Sequence, residues 1–142
     1  MTKEQILAEI VKHCCYAPHA EVHVGVLDLG PGDILISGGC RLDMTGSIYI
    51  GEWTMIGAGA KILTHDHYHD GREPLLLLQK EKGVKWFDKV IGKDVWIHES
   101  IILAQVTNIP DGVVIGAGSV LTKNPEPYGI YAGNPAQLIK YR

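Results

Sequence analysis

Aliphatic residues return at every sixth position along the second half of the chain, at Ile91, Ile97, Leu103, Ile109, Ile115 and Leu121. The fifth place of each hexad is mostly small or β-branched: Val95, Ile101, Thr107, Val113, Ser119 and finally Pro125. A helix of about 3.6 residues per turn would scatter these positions round its circumference. Flat strands turned one into the next would instead stack them inward. The pattern predicts an all-β solenoid, a parallel β-helix of triangular section. The hexad aliphatics should line one buried column, with the aliphatics of the fifth places turned inward beside them. Ile50, Ile56 and Ile62 continue the period upstream, and Ile36, Leu42 and Ile48 follow it on a register shifted by two residues. Gly51, Gly57, Gly92 and Gly116 follow the aliphatic residue, where a tight corner leaves little room for a side chain.

The flanking segments depart from this period. Thr2 and Gln5 make a capping box, and Ile6, Leu7, Ile10 and Val11 form one apolar stripe. Together they predict a short N-terminal helix over about residues 1–16 that caps the open end of the solenoid. Residues 67–89 form a long loop excursion carrying four leucines, a Trp and a Phe among many charges. Loops of that length inside a compact domain usually serve a site or an interface. Beyond Asn124, two prolines and YAGNPAQLIK mark a short C-terminal extension that folds back or ends in a short helix.

Composition narrows the function. Residues 1–142 read as a single domain whose core is a thin stack of aliphatics, for which association with further copies is the natural remedy. A net charge of −3 without a basic run argues against a nucleic-acid partner. No stretch is apolar enough to span a membrane or to form the core of a signal peptide, so the expected location is cytoplasmic. Cys14, Cys15 and Cys40 are odd in number and read as free thiols with no catalytic part.

Three motifs in order add a resemblance: IG-x-x-VWI at 91–97, IGAGSV-x-TK at 115–123 and AGNPA at 132–136. With the long loop upstream, the stretch from Ile34 to Lys140 resembles the hexapeptide-repeat O-acetyltransferases, which include the maltose and galactoside enzymes and many polysaccharide acetyltransferases. The resemblance implies a left-handed parallel β-helix, a homotrimer, and acetyl transfer from acetyl-CoA to a hydroxyl at clefts between subunits. Left-handed coils run against the usual right-handed crossover, so the hand and the trimer rest on the resemblance.

Acetyl transfer from a thioester needs a general base for the acceptor hydroxyl, and neutral histidine suits that work near neutral pH. His65, His67 and His69 cluster at the mouth of the excursion. Counting from Ile56 along the family pattern selects His67 as the base, with His65 the alternative if the register is off by two. For the acetyl-CoA co-substrate, the family positions imply Ala117 along the pantetheine arm, Thr122 and Lys123 near the nucleotide, and Lys140 on a phosphate. A second phosphate-binding Arg of the family falls on Gln137. Ser37 stands where the sugar enzymes bind acceptor through Asn, and the outward Trp96 is either a cleft wall or a subunit contact. The expected acceptor is a sugar or glycan precursor. No metal is expected, because the His pair of the γ-class carbonic anhydrases, which share this kind of solenoid, is missing. A metal-dependent hydratase and a non-catalytic scaffold remain the alternatives.

Overall fold

Side chains that alternate inward and outward need only two or three residues per strand, and the strands up to β14 are that short. The computed structural model describes residues 27–142, and the predicted N-terminal helix, with Cys14 and Cys15, lies outside them. The chain runs β1 (Leu27–Leu29), β2 (Leu35–Ile36), β3 (Arg41–Leu42), β4 (Ile48–Ile50), β5 (Met55–Ile56), β6 (Lys61–Ile62) and β7 (His65–His67). After helix α1 (Leu75–Lys82) come β8 (Val84–Trp86), β9 (Lys89–Ile91), β10 (Trp96–Ile97), β11 (Ile101–Ile102), β12 (Asn108–Ile109), β13 (Val114–Ile115) and β14 (Val120–Leu121). Strands β15 (Gly129–Ala132) and β16 (Gln137–Tyr141) close it.

The strands form three main sheets that the chain visits in rotation as far as β14, apart from the β7–β8 pair. The first is β1-β4-β9-β12, the second β16-β15-β13-β10-β5-β2, and the third β14-β11-β6-β3. Pairing in the first and third sheets is parallel throughout, and in the second it is parallel except between β15 and β16. The core lies between the inner faces. Ile48, Ile50, Ile91 and Ile109 come from the first sheet, Ile56, Ile97 and Ile115 from the second, and Leu42, Ile62, Ile102 and Leu121 from the third, each at most 4% exposed. Burial of one such side chain contributes about 1.5–3 kcal/mol. Space at the corners is as tight as the hexads imply, since a Cβ on Gly51 would stand 2.6 Å from the Gly92 carbonyl oxygen.

One coil breaks the six-residue count. Ile102, not Leu103, is the inward residue of β11, and Ile101 points outward in register with Lys61 and Val120. Val106 is fully buried in place of a fifth-position neighbour, whereas Thr107 is only half-buried. The physical reason is Lys89, which is 1% exposed. Its ammonium donates to the carbonyls of Leu103, Ala104 and Val106, so the turn is wrapped round a buried cation. The inward positions are then spaced by five from Ile97 to Ile102 and by seven from Ile102 to Ile109.

The excursion is a built arm. Strands β7 and β8 pair antiparallel, with His65 opposite Trp86, Asp66 opposite Lys85 and His67 opposite Val84. Helix α1 starts after Pro74 and stops at Gly83, whose φ of 75° suits glycine. Of its four leucines Leu78 is buried, and Leu75, Leu76 and Leu77 are exposed. The C-terminal extension folds back as a strand, β16 pairing antiparallel with β15. Among the described residues no helix is long and apolar enough to cross a membrane. Cys40 is a free thiol, and its own burial pushes its pKa up.

Candidate active site

The turn from the third sheet to the first carries the densest polar network among the described residues. Backbone N–H groups of Asp43, Leu63 and Leu103 donate to the carbonyls of Ile62, Ile102 and Leu121, so Asp43, Leu63, Leu103 and Thr122 form one ladder along that turn. Asp43 lies one coil before the point where β6 runs into β7, and this brings its carboxylate against His65. The Asp43 Oδ2 to His65 Nδ1 distance is 2.6 Å. Thr64 N–H donates to the same oxygen at 2.9 Å, and Thr45 donates to Oδ1 through Oγ1 at 2.7 Å and through N–H at 3.2 Å. Burial pushes the Asp43 carboxyl up, but the hydrogen bonds from Thr45, Thr64 and His65 outweigh it and hold the pKa below the usual carboxylate value. An ionised Asp43 accepts Nδ1–H, which leaves Nε2 of a neutral His65 with its lone pair.

The other histidines have different surroundings. His67 is exposed, its ring edge-on to His65 with centroids 5.4 Å apart, and its backbone N–H donates to Asp66 Oδ1. The His69 side chain is 61% exposed, with Asp70 at 3.8 Å. Trp86 closes over His65 from β8, with centroids 6.1 Å apart and planes tilted by 55°.

The remaining expected residues fall on two further regions. Thr122 and Lys123 lie on the same turn as His65, two coils on, roughly 10 Å along the axis at a strand spacing of about 4.8 Å. Ser37 and Ala117 instead belong to the turn between the second and third sheets, where Ser37, Gly57 and His98 donate in sequence to Ile56, Ile97 and Ile115. A shallow cavity of about 270 Å³ is lined by Gly59, Lys61, Glu99, Ser100, Gly118 and Ser119 among others, and Ala117 precedes Gly118 in the chain. Trp96 projects from the outer face of the second sheet, 40% exposed and stacked on His98 with ring centroids 3.9 Å apart, and Lys140 is exposed on β16 in register with Ile130. Within one chain the base candidates, Thr122 and Lys123 thus share one turn, while Ser37 and Ala117 share another. No group of three or more His, Cys, Asp or Glu among the described residues is arranged to hold a metal ion.

Sequence reasoning missed Asp43, Thr45, Thr64 and Trp86. A signal for the first was present: Leu42 and Ile62 are paired inward positions of successive coils, so the residues just beyond them meet. Trp86 is brought back by the antiparallel arm, which no hexad count reveals.

No family model matches the chain. It is similar to a chloramphenicol acetyltransferase of Klebsiella aerogenes, 35% identical over 113 residues that cover 70% of this chain and 54% of that protein. Among solved structures it is similar to a maltose O-acetyltransferase from Clostridium difficile 630, with TM-score 0.68, 31% identity, and coverage of 81% of this chain and 58% of the other. A galactoside acetyltransferase in complex with coenzyme A shares the fold, with TM-score 0.64, 24% identity and coverage of 81% and 64%. The chain spans about half the length of the chloramphenicol relative, which covers most of it.

Proposed function

The chain belongs to the hexapeptide-repeat acyltransferases, and from that premise we propose that it moves an acetyl group from acetyl-CoA to a hydroxyl of a sugar or glycan precursor by direct attack. The observation that carries the reading is the hydrogen bond of 2.6 Å between Asp43 and His65. With Nδ1 held by the carboxylate, Nε2 takes the proton as the acceptor oxygen attacks the thioester carbonyl. The positive charge that then forms on the imidazole is stabilised by Asp43. Collapse of the tetrahedral intermediate breaks the carbon–sulfur bond, and the proton passes from Nε2 to the departing thiolate. The family count selects His67 for this role, whereas hydrogen bonding favours the alternative, His65.

The co-substrate side is a proposal of the same kind. Lys123 and Lys140 are exposed cations suited to phosphate, Thr122 flanks the first of them, and Ala117 precedes Gly118, which lines a shallow cavity that suits an extended arm. Because Ala117 and His65 occupy different turns, we place each site at a cleft between two copies of the chain in a homotrimer with left-handed coils. Exposed Leu35, Met55 and Trp96 side by side on the second sheet support such packing. Ser37 and Trp96 are the proposed acceptor contacts at that cleft.

The test compares His65→Ala with His67→Ala in acetyl transfer to maltose, methyl β-galactopyranoside and chloramphenicol, following release of free thiol. His65→Ala should lose roughly 10²- to 10⁴-fold in turnover with acetyl-CoA still bound, and His67→Ala much less. The reverse order moves the base to His67. Full turnover in both variants refutes a histidine base.

A further inference from the structure

The two faces of the arm have opposite chemistry. One carries His65, His67 and Trp86, with the indole directly across the strand pair from His65. The other pairs Asp66 with Lys85, and there the Tyr68 ring lies under Lys85 and Lys82, whose Nζ atoms stand 4.6 Å and 5.5 Å from its centroid. The cations are thus gathered behind the ribbon. The face toward the open edge of His65 is aromatic, with Trp86 45% exposed and the His65 side chain 36% exposed.

An exposed indole at this position has a use that a surface residue elsewhere lacks. A hydroxyl placed on His65 Nε2 brings the carbon skeleton that bears it within reach of Trp86. An indole face attracts the apolar face of a ring, through offset stacking with an aryl group or through axial C–H bonds of a pyranose. A flexible open chain presents no such face and loses more conformational freedom on being ordered.

Resting on the reading of His65 as general base, we propose that Trp86 is a specificity-determining residue, the platform for an acceptor that carries a ring with an apolar face close to its reactive hydroxyl. Acceptor selection then draws on the arm as well as on the coils. Two exposed groups from one short ribbon, the base and the platform, set the distance between the reacting hydroxyl and the stacked ring.

The experiment measures acetyl-CoA-dependent transfer by the wild type, Trp86→Ala and Trp86→Phe to three acceptors: methyl β-galactopyranoside, chloramphenicol and open-chain galactitol. The wild type should prefer at least one ring acceptor to galactitol. Trp86→Ala should raise the KM of the preferred ring acceptor about 10-fold, with little change in kcat or in the KM for acetyl-CoA, and Trp86→Phe should recover most of it. The pyranoside and aryl arms identify which kind of ring is taken. Preference for galactitol, acetylation of neither ring acceptor, an unchanged ring-acceptor KM in Trp86→Ala, or loss of oligomeric assembly in both Trp86 variants would each overturn the proposal. Full turnover of both His65→Ala and His67→Ala defeats the base reading instead, which separates the two failures.

Discussion

Replacing Asp43 by Asn changes one atom of a side chain that is 9% exposed, and the hydrogen-bond geometry sets the consequence. Oδ1 accepts from both donors of Thr45, and Oδ2 accepts from Thr64 N–H and faces His65 Nδ1. An amide cannot satisfy both sides. If its oxygen takes the Oδ2 place, the NH₂ group points at Thr45 N–H, and a buried donor goes unsatisfied at a cost of about 1–3 kcal/mol. If the amide flips, the NH₂ group donates to Nδ1, the proton moves to Nε2, and the imidazole can no longer accept one from substrate. In both orientations the imidazolium loses its counter-charge. Turnover should fall by roughly 10²- to 10⁴-fold while the Kd for acetyl-CoA, measured by calorimetry, stays within about twofold of wild type. The acid limb of stability should change as well. Asp43 has a lowered pKa in the fold, so its contribution is full above the ordinary carboxylate pKa of about 3.9 and is lost as pH falls through the lower folded value. The Asp43→Asn variant should lack that loss in acid-denaturation curves. A variant with wild-type turnover and an intact fold would refute the dyad.

Two further expectations follow from lysines. Lys89→Met leaves three turn carbonyls without their donor and should cost about 2–4 kcal/mol at pH 7, read as a lowered Tm. Burial pushes Lys89 down to about 8, against the opposing pull of Asp43, so between pH 8 and about 10.4 the unfolded chain binds more protons. Stability from this group should therefore rise with pH across that window in the wild type, and a flat difference between wild type and Lys89→Met there would refute the assignment. Lys123→Ala or Lys140→Ala should raise the KM for acetyl-CoA several-fold with kcat nearly intact, because phosphate contacts act equally in ground and transition states. A selective fall in kcat would remove these lysines from the cofactor.

Much of the fold was legible because a parallel coil converts spacing into contact. Ile91, Ile97, Ile109, Ile115 and Leu121 are buried as their period implies, and so are Ile50, Ile56 and Ile62 upstream, but they stack in three rows, one on each sheet, and not in the single column expected. Leu103 broke the rule because of a contact the period does not encode, a buried lysine held by the turn that closes its own coil. The site was legible only to the level of a histidine cluster at the mouth of the arm. The contact that favours His65 over the family-count choice His67 is the one with Asp43, and it depends on where β6 passes into β7. The arm itself looked like a loop because its strands pair only with each other and its helix has no clear apolar stripe.

The buried ammonium of Lys89 also bears on how such a chain finds its own alignment. Coils built from interchangeable Ile and Val rows can mispair by a whole turn with little penalty, since every row offers the same greasy ledge to its neighbour. The closing turn of one coil here offers three convergent carbonyls, and the first strand of that coil offers the matching charge, the one charged side chain buried among the described residues. Those carbonyls lie 14 to 17 residues along the chain from Lys89, so the lysine fixes where its own coil closes. The cost of carrying a charge inside the stack is offset by the three carbonyls it satisfies.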